Sequence, residues 1–156
     1  MNTRPVKTSE VPTAPRKTLY PGPFAALVAG RSRQRLGDFF GLSNFGVNMT
    51  ELAPGAISAL LHHHTKQDEF IYIVAGTPTL MLDDNEYLLQ PGECCGFKAG
   101  SGIGHQLVNK SAAPVVYLEI GDRVPDDYPV YPNDDLKFSY GDDGNWLFTR
   151  KDGSFY

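Results

Sequence analysis

Apolar residues along this 156-residue chain come in short bursts separated by turn-forming clusters, without the three-to-four-residue stripe of an amphipathic helix. Runs rich in Val, Ile, Leu, Phe and Tyr predict strands near Phe45–Leu52, Ile57–His64, Glu69–Ala75, Thr79–Leu82, Glu86–Leu89, Cys94–Phe97, His105–Asn109 and Val115–Ile120. A last pair, near Leu136–Tyr140 and Asn145–Arg150, closes the chain. Asp83-Asp84-Asn85 and Asp142-Asp143-Gly144 tolerate the left-handed backbone angles of tight hairpins. Pro54-Gly55 and Pro91-Gly92 each turn the chain into a new strand, which suggests two similar halves, as in a barrel of two antiparallel sheets. Residues 1–23 are polar and broken by Pro5, Pro12 and Pro15, so they read as a mobile or draped arm. Residues 24–156 then form one all-β domain, large enough to bury a real core.

Composition sharpens this picture. Gly 16 and Pro 12 exceed the average usage of roughly 7% and 5%, which disfavours long helices. A net charge of -4, with no long basic block, argues against nucleic acid as a partner. Arg31, Arg33 and Arg35 form the densest basic cluster and, close to Asp38, read as a solvated edge. The Phe24–Ala29 run is far short of the roughly 18 apolar residues a membrane span needs, and no apolar leader opens the chain. A soluble cytoplasmic protein is expected. Cys94 and Cys95 are neighbours that point to opposite faces of a strand, a poor disulfide geometry that fits a reducing compartment, with core packing as their default role.

Three of the four histidines are consecutive, His62, His63 and His64. Strand alternation puts His62 and His64 on one face and His63 on the other. Thr65-Lys66-Gln67-Asp68 returns the chain, so that Glu69 can sit beside the imidazoles, and His105, after the glycine-rich loop from Lys98 to Gly104, can approach from a neighbouring strand. Imidazole with one carboxylate suits a divalent transition metal, Mn, Fe, Co, Ni, Cu or Zn, better than Ca or Mg. Four such ligands leave two octahedral positions open for water, dioxygen or a chelating substrate.

The order Gly55, His62, His64, Glu69, Gly76 resembles the first sequence motif of the cupin superfamily, with one extra residue between Gly55 and His62. The order Gly92, Lys98, Gly100, His105, Asn109 resembles the second, with Lys98 in place of a proline and a longer loop between Gly100 and His105. Leu36-Gly37-Asp38, Phe45-Gly46-Val47 and the segment from Tyr117 to Gly121 are also similar to small single-domain cupins of unsettled function. The resemblance implies a double-stranded β-helix (a jelly-roll barrel), a homodimer, and His62, His64, Glu69 and His105 as metal ligands.

With those ligands inward, Ser58, Leu60, Ile71, Ile73, Leu107 and Asn109 share the inner faces, and Asn109 is expected to stabilise a turn. Glu119 and Tyr117 share a strand face and are the candidate catalytic pair, against the plainer reading that Tyr117 packs while Glu119 pairs with a cation. Tyr87, Met81 and Lys98 are further candidates for substrate contact. The C-terminal aromatics, Tyr128, Tyr131, Phe138, Tyr140, Trp146, Phe148, Phe155 and Tyr156, must be buried over the barrel mouth or against a partner, and the barrel exterior or a dimer is the favoured place. The leading function is a metal-dependent enzyme acting on a small sugar or organic acid, by isomerase, lyase, decarboxylase or dioxygenase chemistry. The alternatives are a non-catalytic ligand-binding or sensor cupin and a purely structural metal, the latter disfavoured by the open coordination sphere.

Overall fold

Period-two alternation is realised as two facing antiparallel layers in the computed structural model, which describes residues 4–15, 18–141 and 146–156. The elements are α1 (Gly22–Ala25), β1 (Arg31–Arg35), α2 (Leu36–Phe39), β2 (Phe45–Leu52), β3 (His63–His64), β4 (Glu69–Ala75), β5 (Thr79–Leu82), β6 (Asn85–Leu88), β7 (Cys94–Phe97), β8 (His105–Val108), β9 (Val115–Asp122), β10 (Pro129–Val130), β11 (Lys137–Tyr140) and β12 (Trp146–Thr149). One layer is a five-stranded sheet in the order β1-β2-β9-β4-β7. The other is made of β12-β11-β10-β3 and β6-β5-β8, joined where His62 bridges His105. This is the barrel of two antiparallel sheets that the pattern suggests and the jelly roll that the resemblance implies.

Between the layers, Leu52, Ile71, Ile73, Leu80, Leu107, Val115 and Tyr117 form the main core. A second cluster, Leu60, Tyr131, Leu136 and Phe138 with Tyr20, Phe24 and Phe148 against it, fills one end. The turn after β4 requires glycine: Gly76 has φ 78°, and a Cβ there would lie 2.6 Å from the Pro114 carbonyl oxygen. Asp83, at φ 47°, closes the β5–β6 hairpin as its residue type allows. Asn109 is fully buried and donates to the Leu52 and Ala113 carbonyls while accepting from Ser111, which is the turn-stabilising role.

Several expectations need correction. Ile57–His64 is not one strand: only His63–His64 pairs as such, with single bridges at Ile57 and His62. Side chains take the intervening groups, since Arg31 donates to the Ser58 carbonyl, Gln106 to that of Ala59, and the Ser58 hydroxyl accepts from the Leu107 amide. Arg31–Arg35, read as a solvated edge, is a paired strand in which Arg31 and Arg33 are partly buried and Arg35 is exposed. Cys94 is exposed, and only Cys95 packs against the core. The Asp142-Asp143-Gly144 turn and Asn145 lie outside the described residues. In the N-terminal segment, Val11 is buried and the Gln34 side chain donates to the carbonyls of Thr8 and Val11. No helix among the described residues is long and apolar enough to cross a membrane.

Candidate metal centre

His62 and His64 leave the β3 segment on the same side, with ring centroids 5.1 Å apart, as alternation requires. Glu69 opens β4 and His105 opens β8, so a strand start supplies each remaining donor. Their atoms converge on one oxygen: Glu69 Oε2 lies 2.7 Å from His105 Nε2, 3.6 Å from His64 Nε2 and 3.8 Å from His62 Nε2. The donor atoms of His62, Glu69 and His105 all fall within 4.8 Å of one another. His63 stays outside this cluster, its backbone paired with Val130.

Groups behind the imidazoles set their tautomers. His62 Nδ1–H donates to the Leu60 carbonyl at 2.8 Å, and His64 Nδ1–H to Asp127 Oδ2 at 2.5 Å, which leaves both Nε2 lone pairs facing the cluster. His105 Nδ1 is buried without a partner, and its ring is stacked on Phe97 at 3.8 Å. Burial pushes the His62 imidazole down to about 4, with Glu69 only partly offsetting this, so it is neutral at pH 7. Burial alone would raise the Glu69 carboxyl, but the hydrogen bond from His105 and the charges of His64 and His62 outweigh it and hold the group at about 2. A neutral His62 imidazole beside an ionised Glu69 carboxylate gives those two ligands the protonation states a divalent transition metal needs. The donor set therefore fits such an ion.

Glu119 faces the same space from β9. It accepts from Arg33 at 3.0 Å, from the Asn48 amide at 3.1 Å and from the Tyr117 hydroxyl at 3.3 Å. Tyr117 is 1% exposed, and burial with the adjacent Glu119 charge pushes its phenol well up, so it is a donor here and never a phenolate. Glu119 is thus inward and paired with a cation, and Tyr117 is packed beside it. An inner chamber of about 80 Å³ is lined by His62, Glu69, His105, Arg33, Tyr117 and Glu119 among others. A vestibule of about 330 Å³ shares Arg33, His62, Glu69 and Glu119 with it and opens past Arg31, Arg35, Tyr20 and Tyr131.

Two expectations fail at this mouth. The C-terminal aromatics are not confined to the exterior, because Tyr131, Phe138, Tyr140, Trp146 and Phe148 line the vestibule, and Tyr131 stacks on His62 at 6.0 Å. Arg31, Arg33 and Arg35 line it as well rather than a solvated edge. Met81 and Tyr87 line neither chamber, and Lys98 is exposed in an ion pair with Asp68 at 3.2 Å. Sequence reasoning missed Asp127, Asn48 and Tyr20 altogether. For the arginines the signal was present in the Arg-x-Arg-x-Arg alternation of β1, which puts three guanidinium groups on one face.

Antiparallel layers closed around inward histidines make the molecule a jelly-roll barrel with a candidate metal site inside it. A cupin-domain profile matches residues 48–121, and with the relatives that follow it shows that the chain belongs to the cupin superfamily. The structure of a sugar phosphate isomerase of the cupin superfamily from Silicibacter pomeroyi is 40% identical, with a TM-score of 0.90 over 98% of this chain and 96% of that one. One from Acidithiobacillus ferrooxidans, bearing a provisional form of the same name, is 30% identical, with a TM-score of 0.70 over 77% and 76%. A cupin 2 domain-containing protein from Halorhodospira halophila is 28% identical, with a TM-score of 0.58 over 69% and 73%. No curated protein matches the sequence.

Proposed function

We propose that the chain is a metal-dependent cupin enzyme that moves a proton between adjacent carbons of a small sugar-type metabolite, interconverting its carbonyl and hydroxyl positions. The observation that carries this reading is the inner chamber, which Glu119 lines together with the His62, Glu69 and His105 donors. His62, His64, Glu69 and His105 would hold one divalent transition metal, Mn, Fe, Co, Ni, Cu or Zn. When bound, the ion would polarise a substrate oxygen and so acidify the neighbouring C–H. The sugar phosphate isomerase name of the Silicibacter pomeroyi relative supports this reaction class.

The chain's own groups then account for the proton. Glu119 takes it from one carbon and returns it to the next, while a second proton passes between the two oxygens. Arg33 reaches both Glu119 oxygens and Asn48 donates to Oε1, so the carboxylate meets the substrate in one orientation. The Tyr117 hydroxyl donates to Glu119 and holds the floor of the chamber. Tyr131, with Tyr20 and Phe148 packed on it, gives the vestibule an apolar wall beside His62. The functional unit is proposed to be a homodimer joined through the outer face of the five-stranded sheet, where Phe70, Tyr72 and Val74 are exposed.

The test is proton exchange in D2O, followed by NMR over a panel of free and phosphorylated aldoses and ketoses, on tag-free protein of known metal content. Wild type is expected to exchange one substrate, and Glu119→Gln to lose about 100-fold or more of that rate with its metal content unchanged. Equal rates in the two proteins would remove Glu119 from the chemistry. Metal retention with no exchange by wild type would return the chain to the ligand-binding reading.

A further inference from the structure

Strand β1 carries a guanidinium at every second position, and its register shows where they point. Arg31, Arg33 and Arg35 stand opposite Leu52, Thr50 and Asn48 on β2, which in turn stand opposite Val115, Tyr117 and Glu119 on β9. Leu52, Thr50, Val115 and Tyr117 are buried, so this row is the inner face of the sheet. The Gln34 side chain faces the other way, toward the N-terminal segment.

The three cations are not equivalent. Arg33 is committed to Glu119. Arg35 lies at the rim, 60% exposed and 3.9 Å from Asp38, whose other carboxylate oxygen is held by Arg123. Arg31 donates to the Ser58 carbonyl and has no carboxylate partner among the described residues, although it lines the vestibule. Burial and the Arg33 charge destabilise this cation, Glu119 offsets them only from a distance, and a ligand anion in direct contact would remove the remaining cost. Beside it, Arg33 Nε–H is buried with no acceptor.

Charge balance gives the valence of the missing group. The vestibule wall carries Arg31, Arg33 and Arg35 against Glu69, Glu119 and Asp127, so its fixed charges cancel. A divalent cation on the histidine–glutamate set, on which this inference rests, leaves two positive charges uncompensated. A monocarboxylate neutralises one of them, and a phosphomonoester dianion both. Guanidinium forks match phosphate oxygens, and two donors from neighbouring β1 side chains can share one phosphate. Strand order puts β1 three strand spacings, about 14 Å, from β4, and register puts Arg31 in the Val115 row and Glu69 in the Gly121 row, so the two line separate parts of the vestibule.

We propose that Arg31, with the free Nε–H of Arg33, is the phosphate subsite for a phosphorylated sugar whose oxygens at the other end reach the metal-ligand set. The subsite selects phosphorylated over free sugars. Its test uses inorganic phosphate as the probe, with acetate as the monoanion control, titrated calorimetrically into the full-length protein carrying whatever metal it retains. Wild type is expected to bind phosphate more tightly than acetate. Arg31→Gln should weaken phosphate at least tenfold, Arg31→Lys should weaken it less, and Lys98→Gln, at an exposed lysine, should leave it unchanged. Elemental analysis should find equal metal in all four proteins. If Arg31→Gln fails to fold by thermal unfolding, the Arg31→Lys loss decides. No phosphate binding by wild type, or equal binding after loss of Arg31, overturns the subsite while leaving the metal reading intact. Arg31-dependent phosphate binding in a protein that holds no metal keeps the subsite and removes the metal reading instead.

Discussion

His62 and His64 are prepared by what stands behind them. Burial alone would raise the Asp127 carboxyl, but its hydrogen bonds with His64 and the Lys66 amide outweigh that and lower it, so it stays ionised and keeps the His64 proton on Nδ1. Asp127→Asn is expected to weaken metal binding by about 10- to 100-fold, measured by competition with a chelator. The fold should persist, because an amide oxygen can still accept from Lys66 and Gln67. An unchanged affinity would show that Asp127 only anchors its loop. The same cluster predicts an acid limit for the metal-free protein. The folded state keeps His62 neutral down to about pH 4 although its ordinary value is 6.5, and keeps Glu69 ionised down to about 2 although its ordinary value is 4.5. In both windows the unfolded chain binds more protons, so stability rises with pH and is lost on acidification. Urea unfolding should show that loss beginning near pH 6.5, and His62→Gln should flatten the part of the curve between about pH 6.5 and 4. A wild-type curve flat over that interval would refute the assignment. Asp127 itself was invisible in the sequence, since nothing local ties a loop residue to a histidine 63 positions earlier.

At the scale of elements, legibility followed the source of each strand's stability. β2, β4, β5 and β7 keep the boundaries that alternation predicts, because each buries its own apolar residues on one side. β1 was missed, since Arg-Ser-Arg-Gln-Arg has no apolar position to reveal it. Its pairing is set by β2, and its inward face is polar because it borders a cavity rather than the core. The Ile57–His64 segment fails in the opposite way: its composition reads as a strand, but Leu60 and Leu61 are both buried although they are adjacent, which strict alternation forbids. That departure brings Leu60 to the aromatic cluster and its carbonyl to His62, so the irregular piece is the one that shapes the site. Burial of the C-terminal aromatics, expected from their density, holds for Tyr131 and Phe138 and in part for Phe148, whereas Tyr128, Tyr140, Trp146, Phe155 and Tyr156 are exposed. Their place over the mouth was not legible, because it depends on β10 pairing with β3, a contact between segments far apart in the chain.

Over the whole molecule, the five-stranded sheet has its polarity reversed around the site. Its inner rows hold Arg35, Asn48, Glu119 and Ile71, then Arg33, Thr50, Tyr117 and Ile73, while the outer rows hold Val47, Ile120 and Phe70, then Met49, Leu118 and Tyr72. An antiparallel sheet with one face to water normally places its polar side chains on that face. Here Phe70 and Tyr72 are 38% and 40% exposed on β4, an interior strand, and the neighbouring outward side chains on β2 and β9 are apolar. Those rows carry no charge to specify a different partner, so a second copy meeting them through a twofold axis is the simplest cover. Light scattering on the eluting protein should then give twice the 17.2 kDa of one chain. Tyr72→Lys, in the middle of the patch, should yield the monomer, whereas Tyr87→Lys, 49% exposed on the other layer, should not. The patch lies on the reverse of the sheet that carries Glu119, so the monomeric variant should still bind its metal and phosphate. A wild-type chain that elutes as a monomer would leave the apolar rows without this explanation.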